Sequence, residues 1–147
     1  MGDLDLRTRE NGFIKIHSDV TFDKDVRLVA ARNGSIIIKE GAELGNDVIV
    51  NAGEKVEIGK NVLIGPRCII QASNHGTDKI GDIKGQRYNH KPIKIQRGAW
   101  LSANVVVLPG VNIGNGAVIG ASSVVTKDVP DETIAVGIPS RILKNKG

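Results

Sequence analysis

The sequence predicts an all-β fold, a parallel solenoid wound around a narrow aliphatic interior, and three observations predict it. The first is composition. Of 147 residues, 18 are Gly, while there are only two Phe, one Tyr and one Trp. Leu, Ile and Val together number 43, and 35 of these are Ile or Val. A core without aromatic bulk has to be filled by β-branched side chains, which favour strands. The second is a period of six. From Ile95 the chain reads IQRGAW, LSANVV, VLPGVN, IGNGAV, IGASSV, VTKDVP, with an aliphatic residue at 95, 101, 107, 113, 119 and 125. Six is neither the 3.6 of a helix nor the 2 of a long strand, and it fits coils with three flat sides of six residues, 18 per turn. The third is a single long interruption of that period, at about 71–92.

Taken in order, residues 1–35 read as irregular first coils, with Ile16, Phe22 and Leu28 only loosely in step. A ten-residue step then leads from Leu28 to Ile38, with Asn33-Gly34 as the turn signal. Regular coils are predicted over 36–130, marked by Ile38, Leu44 and Val50, then Ile58, Ile64 and Ile70. The eight-residue step from Val50 to Ile58 places a two-residue bulge around Asn51-Ala52-Gly53. Small or β-branched residues four places after the marker positions (Val62, Cys68, Val105, Val111, Ala117 and Ser123) read as tight inward corners. Glycines right after the markers, at Gly59, Gly65, Gly114 and Gly120, read as backbone relief at those corners. The excursion, SNHGTDKIGDIKGQRYNHK, is polar and free of the repeat, and a loop of that length in so economical a chain points to function. Asn74 is read as pointing inward and His75 as projecting outward where the loop begins. Residues 131–147 are read as a C-terminal tail, and the whole of 1–147 as one domain.

Composition also excludes partners. With 3 % aromatic residues the chain has almost no stacking platforms for single-stranded nucleic acid. The net charge of +4 is a mild basic excess compatible with an anionic ligand. No apolar run reaches membrane-spanning length, and MGDLDLRTRE has no apolar signal core. One Cys excludes an internal disulfide framework, so a cytoplasmic location is expected.

The run GAWLSANVVVLPGVNIGNGAVIGASSVVTKDVP, followed by AVGIPSRILK, resembles the C-terminal half of the hexapeptide-repeat acetyltransferases. VNAGEKVEIGKNVLIGPRCIIQASNHGTD resembles their active-site segment, so the match covers about 36–143. The resemblance implies a left-handed parallel β-helix, an exception to the right-handed crossover rule. It further implies a homotrimer that binds acetyl-coenzyme A (acetyl-CoA) between subunits and requires no metal. Within the family the chain is most similar to sugar and polysaccharide O-acetyltransferases and to the maltose and galactoside acetyltransferases. A sugar or nucleotide-sugar acceptor is therefore expected. The chain lacks the N-terminal helical segment of the latter two, and it has Ser102 where close relatives often have Gly.

Acetyl transfer to a hydroxyl needs a proton acceptor, and an imidazole with a pKa of about 6.5 is matched to that work at neutral pH. His75 aligns with the family's catalytic histidine. Asp78 is a candidate to orient it or to cap the turn, and Asn51 matches an asparagine that touches the acceptor sugar in the galactoside enzymes. Trp100 is too large for the prism interior and is expected outside, against the pantetheine arm or a neighbouring subunit, of which the resemblance favours the former. Ala103 matches the position whose backbone meets the thioester end. Ala121, Thr126 and Lys127 match further cofactor contacts, and Arg141 matches a basic residue near the adenosine 3′-phosphate. Cys68 sits at an inward corner, where a buried thiol is inert, so a covalent acyl-enzyme is not expected. His90 is expected on the surface. The spacing of His17, His75 and His90 does not suit the three-histidine metal site of γ-class carbonic anhydrases. A non-catalytic scaffold remains a rival, and the residues do not separate O- from N-acetylation.

Overall fold

In a computed structural model, which describes residues 3–147, the chain is a left-handed parallel β-helix with three faces and no helical segment. The first face stacks Asp5–Thr8, Arg27–Ala30, Ile49–Ala52, Ile69–Gln71, Val106–Val107 and Val124–Val125. The second stacks Phe13–Ile16, Ser35–Ile38, Val56–Ile58, Ile93–Ile95 and Asn112–Ile113. The third stacks Thr21–Phe22, Glu43–Leu44, Leu63–Ile64, Trp100–Leu101, Val118–Ile119 and Thr133–Gly137. Each strand is parallel to the ones above and below, so every coil supplies the backbone partners its neighbour lacks.

The predicted six-residue markers from Ile38 to Val125 all face the interior, with exposures between 0 and 3 %. The corners Val62, Cys68, Val105, Val111, Ala117 and Ser123 are buried beside them. Like side chains therefore stack in columns, such as Leu28, Val50, Ile70 and Val107 on the first face. Each full burial of this kind contributes about 1.5–3 kcal/mol.

Three expectations are corrected. Residues 1–35 are not irregular: Leu6 pairs with Leu28 and Ile16 with Ile38 in the same ladders as the later coils. The extra residues of these longer coils are confined to corners such as Ala31–Gly34, where Arg32 and Asn33 take up left-handed backbone. Glycine at Gly59, Gly65 and Gly114 serves close approach rather than backbone relief. These residues are not in the left-handed region, and a Cβ there would lie 2.5–2.8 Å from backbone atoms of the next coil. The left-handed corner positions are filled instead by residues such as Asn61, Asn104 and Gly98. Nor is the C-terminus a loose tail. Thr133–Gly137 continues the third face, with Ala135 buried, and Ser140–Asn145 folds back antiparallel to cover its edge.

Candidate active site

The interrupted coil leaves the prism at the buried Ala72 and rejoins it at the buried Ile93, and the backbone N–H of Lys91 donates to the Ala72 carbonyl at 3.1 Å. Between them, Ser73–His75 and Tyr88–His90 form an antiparallel hairpin in which Ser73 faces His90, Asn74 faces Asn89 and His75 faces Tyr88. Strand alternation therefore puts Ser73, His75, Tyr88 and His90 on one surface of the hairpin. Asn74 is exposed, contrary to the inward reading, because the chain has already left the prism. The Gln86 side chain ties the tip by donating to the carbonyls of Lys79 and Asp82.

His75 is exposed, and its ring lies 4.6 Å from that of Tyr88. The Tyr88 ring is stacked on His90 at 5.3 Å on an interplanar angle of 8°. His90 is only half-buried rather than free on the surface, and its Nδ1 is 2.9 Å from Ser73 Oγ. Ser73 Oγ also accepts from the Gly53 N–H at 2.9 Å. Asn51 Nδ2 donates to Gln71 Oε1 at 2.9 Å, and Gln71 in turn donates to the Ser73 carbonyl. Asn51 and the hairpin base are thus one polar network beside the histidine. A cleft of about 140 Å³ opens between them, lined in part by Asn51, Gly53, Ser73, Tyr88 and His90.

Asp78 lies further along the excursion, in a separate depression with Lys79, Gln86 and Arg87, and makes no hydrogen bond to His75. The ring next to His75 is Tyr88. Sequence reasoning missed Tyr88 as the neighbour of His75, and Ser73 and Gln71 as the residues that link Asn51 to the hairpin. The signal was present in the near-repeat SNH and YNH at the two ends of the excursion, which a hairpin brings opposite each other.

The remaining predicted residues fall on two edges of the prism. Ala103 and Ala121 turn the corner from the third to the first face, and the Ser122 N–H donates to the Ala103 carbonyl at 2.9 Å. Trp100 stands on the outer third face beside Leu63, 48 % exposed, as its bulk required. Thr126 and Lys127 turn the other corner, from the first to the second face, the edge from which the hairpin leaves. Arg141 is exposed opposite Val136 in the terminal hairpin. Cys68 is fully buried, its Sγ 3.0 Å from the Ser102 carbonyl, and burial pushes its thiol above the ordinary value. A larger cleft of about 440 Å³ on the second face, beside Lys55, Glu57 and Lys94, contains none of the predicted site residues. Among the described residues, no group of three or more His, Cys, Asp or Glu is placed to hold a metal ion.

Comparison with known proteins agrees with this architecture. Residues 92–127 match the family model described as bacterial transferase hexapeptide (six repeats). WbbJ of Escherichia coli K12, provisionally assigned as a lipopolysaccharide biosynthesis O-acetyl transferase, is 33 % identical over 144 residues, covering 92 % of this chain and 74 % of its own. This chain belongs to the hexapeptide-repeat acetyltransferases. Acetyl-CoA is the acyl donor of that family, and a hexapeptide-repeat acetyltransferase, VCA0836 of Vibrio cholerae, solved in complex with acetyl-CoA, superposes with a TM-score of 0.70. It is 27 % identical, and the match covers 96 % of this chain and 71 % of that one. The galactoside O-acetyltransferase of Escherichia coli K12 is 40 % identical over 89 residues, and there the match spans 60 % of this chain but only 43 % of the relative.

The residues present fit acetyl-CoA. Ala103 and Ala121 put small side chains at the outside of stacked corners, neither of them fully buried. Half-exposed Trp100 offers an apolar wall on the adjoining face, and Lys127 and Arg141 are exposed and make no ion pair among the described residues.

Proposed function

We propose that this acetyltransferase modifies a hydroxyl of a sugar or of a surface-polysaccharide precursor, with His75 as general base. The observation that carries this reading is the exposed His75 in the excursion hairpin against the ring of Tyr88, which lines a cleft also bordered by Asn51. The sugar O-acetyltransferase names of its relatives support the acceptor class.

Acetyl-CoA, when bound, supplies an acyl group activated as a thioester. The His75 imidazole takes the proton of the acceptor hydroxyl as its oxygen bonds to the acyl carbon, and returns that proton to the sulfur as the carbon–sulfur bond breaks. No base is consumed, and the products are an acetyl ester and the free thiol. Tyr88 keeps the imidazole from turning away, and Asn51 presents an amide to the sugar. Asp78, the candidate to orient the imidazole, makes no hydrogen bond to His75 and lies in a separate depression. Trp100, Ala103, Ala121, Thr126, Lys127 and Arg141 hold the donor.

We further infer a homotrimer. The family resemblance implies it, and of the proposed donor residues Ala103 and Ala121 turn one corner of the prism and Thr126 and Lys127 another, with the first face between them, so that edges of neighbouring protomers laid together would unite the two groups. No helix among the described residues is long and apolar enough to cross a membrane. A free buried cysteine and the use of acetyl-CoA favour the cytoplasm as the site of action.

The test is a panel of sugars and nucleotide sugars scored by free thiol, with the product analysed for an ester or an amide bond. The proposal expects a base-labile ester and loss of thiol release in His75→Ala. An amide product would move the activity to amino sugars, and undiminished release by His75→Ala would remove the base.

A further inference from the structure

The cleft lined by Tyr88, the ring next to His75, also contains Arg32, from the corner Ala31–Gly34 two coils before the hairpin. Its guanidinium carbon lies over the Tyr88 ring at 3.8 Å from the centroid. Stacking on a ring leaves the in-plane N–H donors of a guanidinium free for a partner. Among the described residues Arg32 makes no ion pair and no side-chain hydrogen bond. Glu10, which occupies the corresponding corner one coil below, is not paired with it either. The lining of the cleft is otherwise neutral or imidazole, with no Asp or Glu. It therefore combines one fixed positive charge with hydrogen-bonding groups from Asn51, Ser73 and His90, and it adjoins the proposed base. Both Arg32 and His75 contact the same ring, so Tyr88 sets their separation.

We propose that this cleft is the acceptor subsite and that it selects a sugar bearing an anionic group, a carboxylate or a phosphate. Arg32 is the residue that binds the anion, and Tyr88 is a positioning residue that holds Arg32 and His75 one ring apart. This rests on the acetyl-transfer reading for the role of His75, but the charge preference is a binding property that can be measured without turnover. A planar fork of donors suits either anion bidentately, whereas a neutral sugar offers the exposed Arg32 guanidinium no opposite charge.

The experiment uses the full chain and three probes on one sugar frame: galactose, galacturonic acid and galactose 1-phosphate. Binding is followed by ligand-observed NMR titration, and thiol release from acetyl-CoA is recorded with the same probes. At least one anionic probe should bind about 10- to 100-fold more tightly than galactose, the range expected of a hydrogen-bonded charge pair. Which of the two wins separates carboxylate from phosphate recognition. Arg32→Gln should abolish the preference and Arg32→Lys should retain part of it, while Lys15→Gln, which removes an exposed charge on the second face, should keep it. Tyr88→Ala should lower kcat with an anionic acceptor more than it raises KM for acetyl-CoA, a split that general loss of structure would not produce. Equal binding of all three probes, no binding of any, or equal weakening of galactose and the anions by Arg32→Gln would overturn the subsite. An Arg32-dependent preference without thiol release leaves the subsite standing and counts against acetyl transfer. Thiol release without charge preference does the reverse.

Discussion

From Ile95 to Val125 the markers of the six-residue repeat point inward and are fully buried, whereas from Ser73 to His90 no side chain is more than half-buried. Both stretches belong to the same solenoid, and the second is an insertion into one of its coils. In the wall, residue choice answers to the column above and below, so Ile95 over Ile58 and under Ile113 reports on packing alone. In the hairpin no column constrains the side chains, and the polar residues that remain there are free to serve chemistry. The difference teaches how rigidity and exposed polar chemistry are separated along this chain: the wall fixes where the hairpin starts and ends, and the hairpin carries the proposed base.

The comparison can be broken most directly by exchanging damage between the two regions. His75→Ala should lower kcat by about 10²–10⁴-fold, the usual contribution of a general base. Because His75 is exposed, its thermal midpoint should stay at the wild-type value. Ile95→Ala empties part of a fully buried column and should cost about 2–5 kcal/mol in denaturant unfolding. Its folded fraction should still turn over acceptor at close to the wild-type rate. If His75→Ala unfolds the protein, or Ile95→Ala abolishes turnover while leaving stability intact, the separation of wall and hairpin fails.

Trp100 tests an intermediate case, a wall strand whose side chain faces outward. Its loss removes little from the interior, since it is 48 % exposed. Trp100→Ala should therefore raise KM for acetyl-CoA by about tenfold, consistent with an aromatic contact of the order of 1 kcal/mol plus its buried area. It should change KM for the acceptor far less. Equal effects on the two Michaelis constants would place Trp100 in general structure rather than at the donor.

The same division explains what could be read from the sequence. The fold was legible because stacking repeats one physical requirement every coil, and the markers from Ile38 to Val125 record it. The first coils were harder to read because their corners are longer, and the extra residues at Ala31–Gly34 shift the register without altering the columns. Glycine's role at Gly59 and Gly65 was misread because a period reveals where a small residue stands, not which atom of the next coil it makes room for. In the candidate site, His75 and Asn51 were proposed through resemblance. Tyr88 and Arg32 were not, since Tyr88 meets His75 only through a hairpin pairing and Arg32 meets Tyr88 only from a corner two coils away.

Cys68 offers the smallest effect and a sharp mechanistic distinction. It is the only sulfur nucleophile in the chain, and a double-displacement route through it would predict a covalent acyl-enzyme and ping-pong kinetics. Its place at an inward corner, in line with Val105 and Ser123, argues against that route. Burial raises its thiol pKa, so the thiolate that would have to attack is scarcer at neutral pH than for a free cysteine, and becomes available only at higher pH. Cys68→Ala should therefore leave kcat within about twofold and intersecting-line kinetics unchanged, at a stability cost below about 1.5 kcal/mol for a small, shape-conserving change. The native protein should resist thiol alkylation until denaturant opens the prism. Rapid alkylation of the folded chain with parallel loss of activity would make the wall itself reactive, and would bring down the distinction between a packing surface and a chemical one.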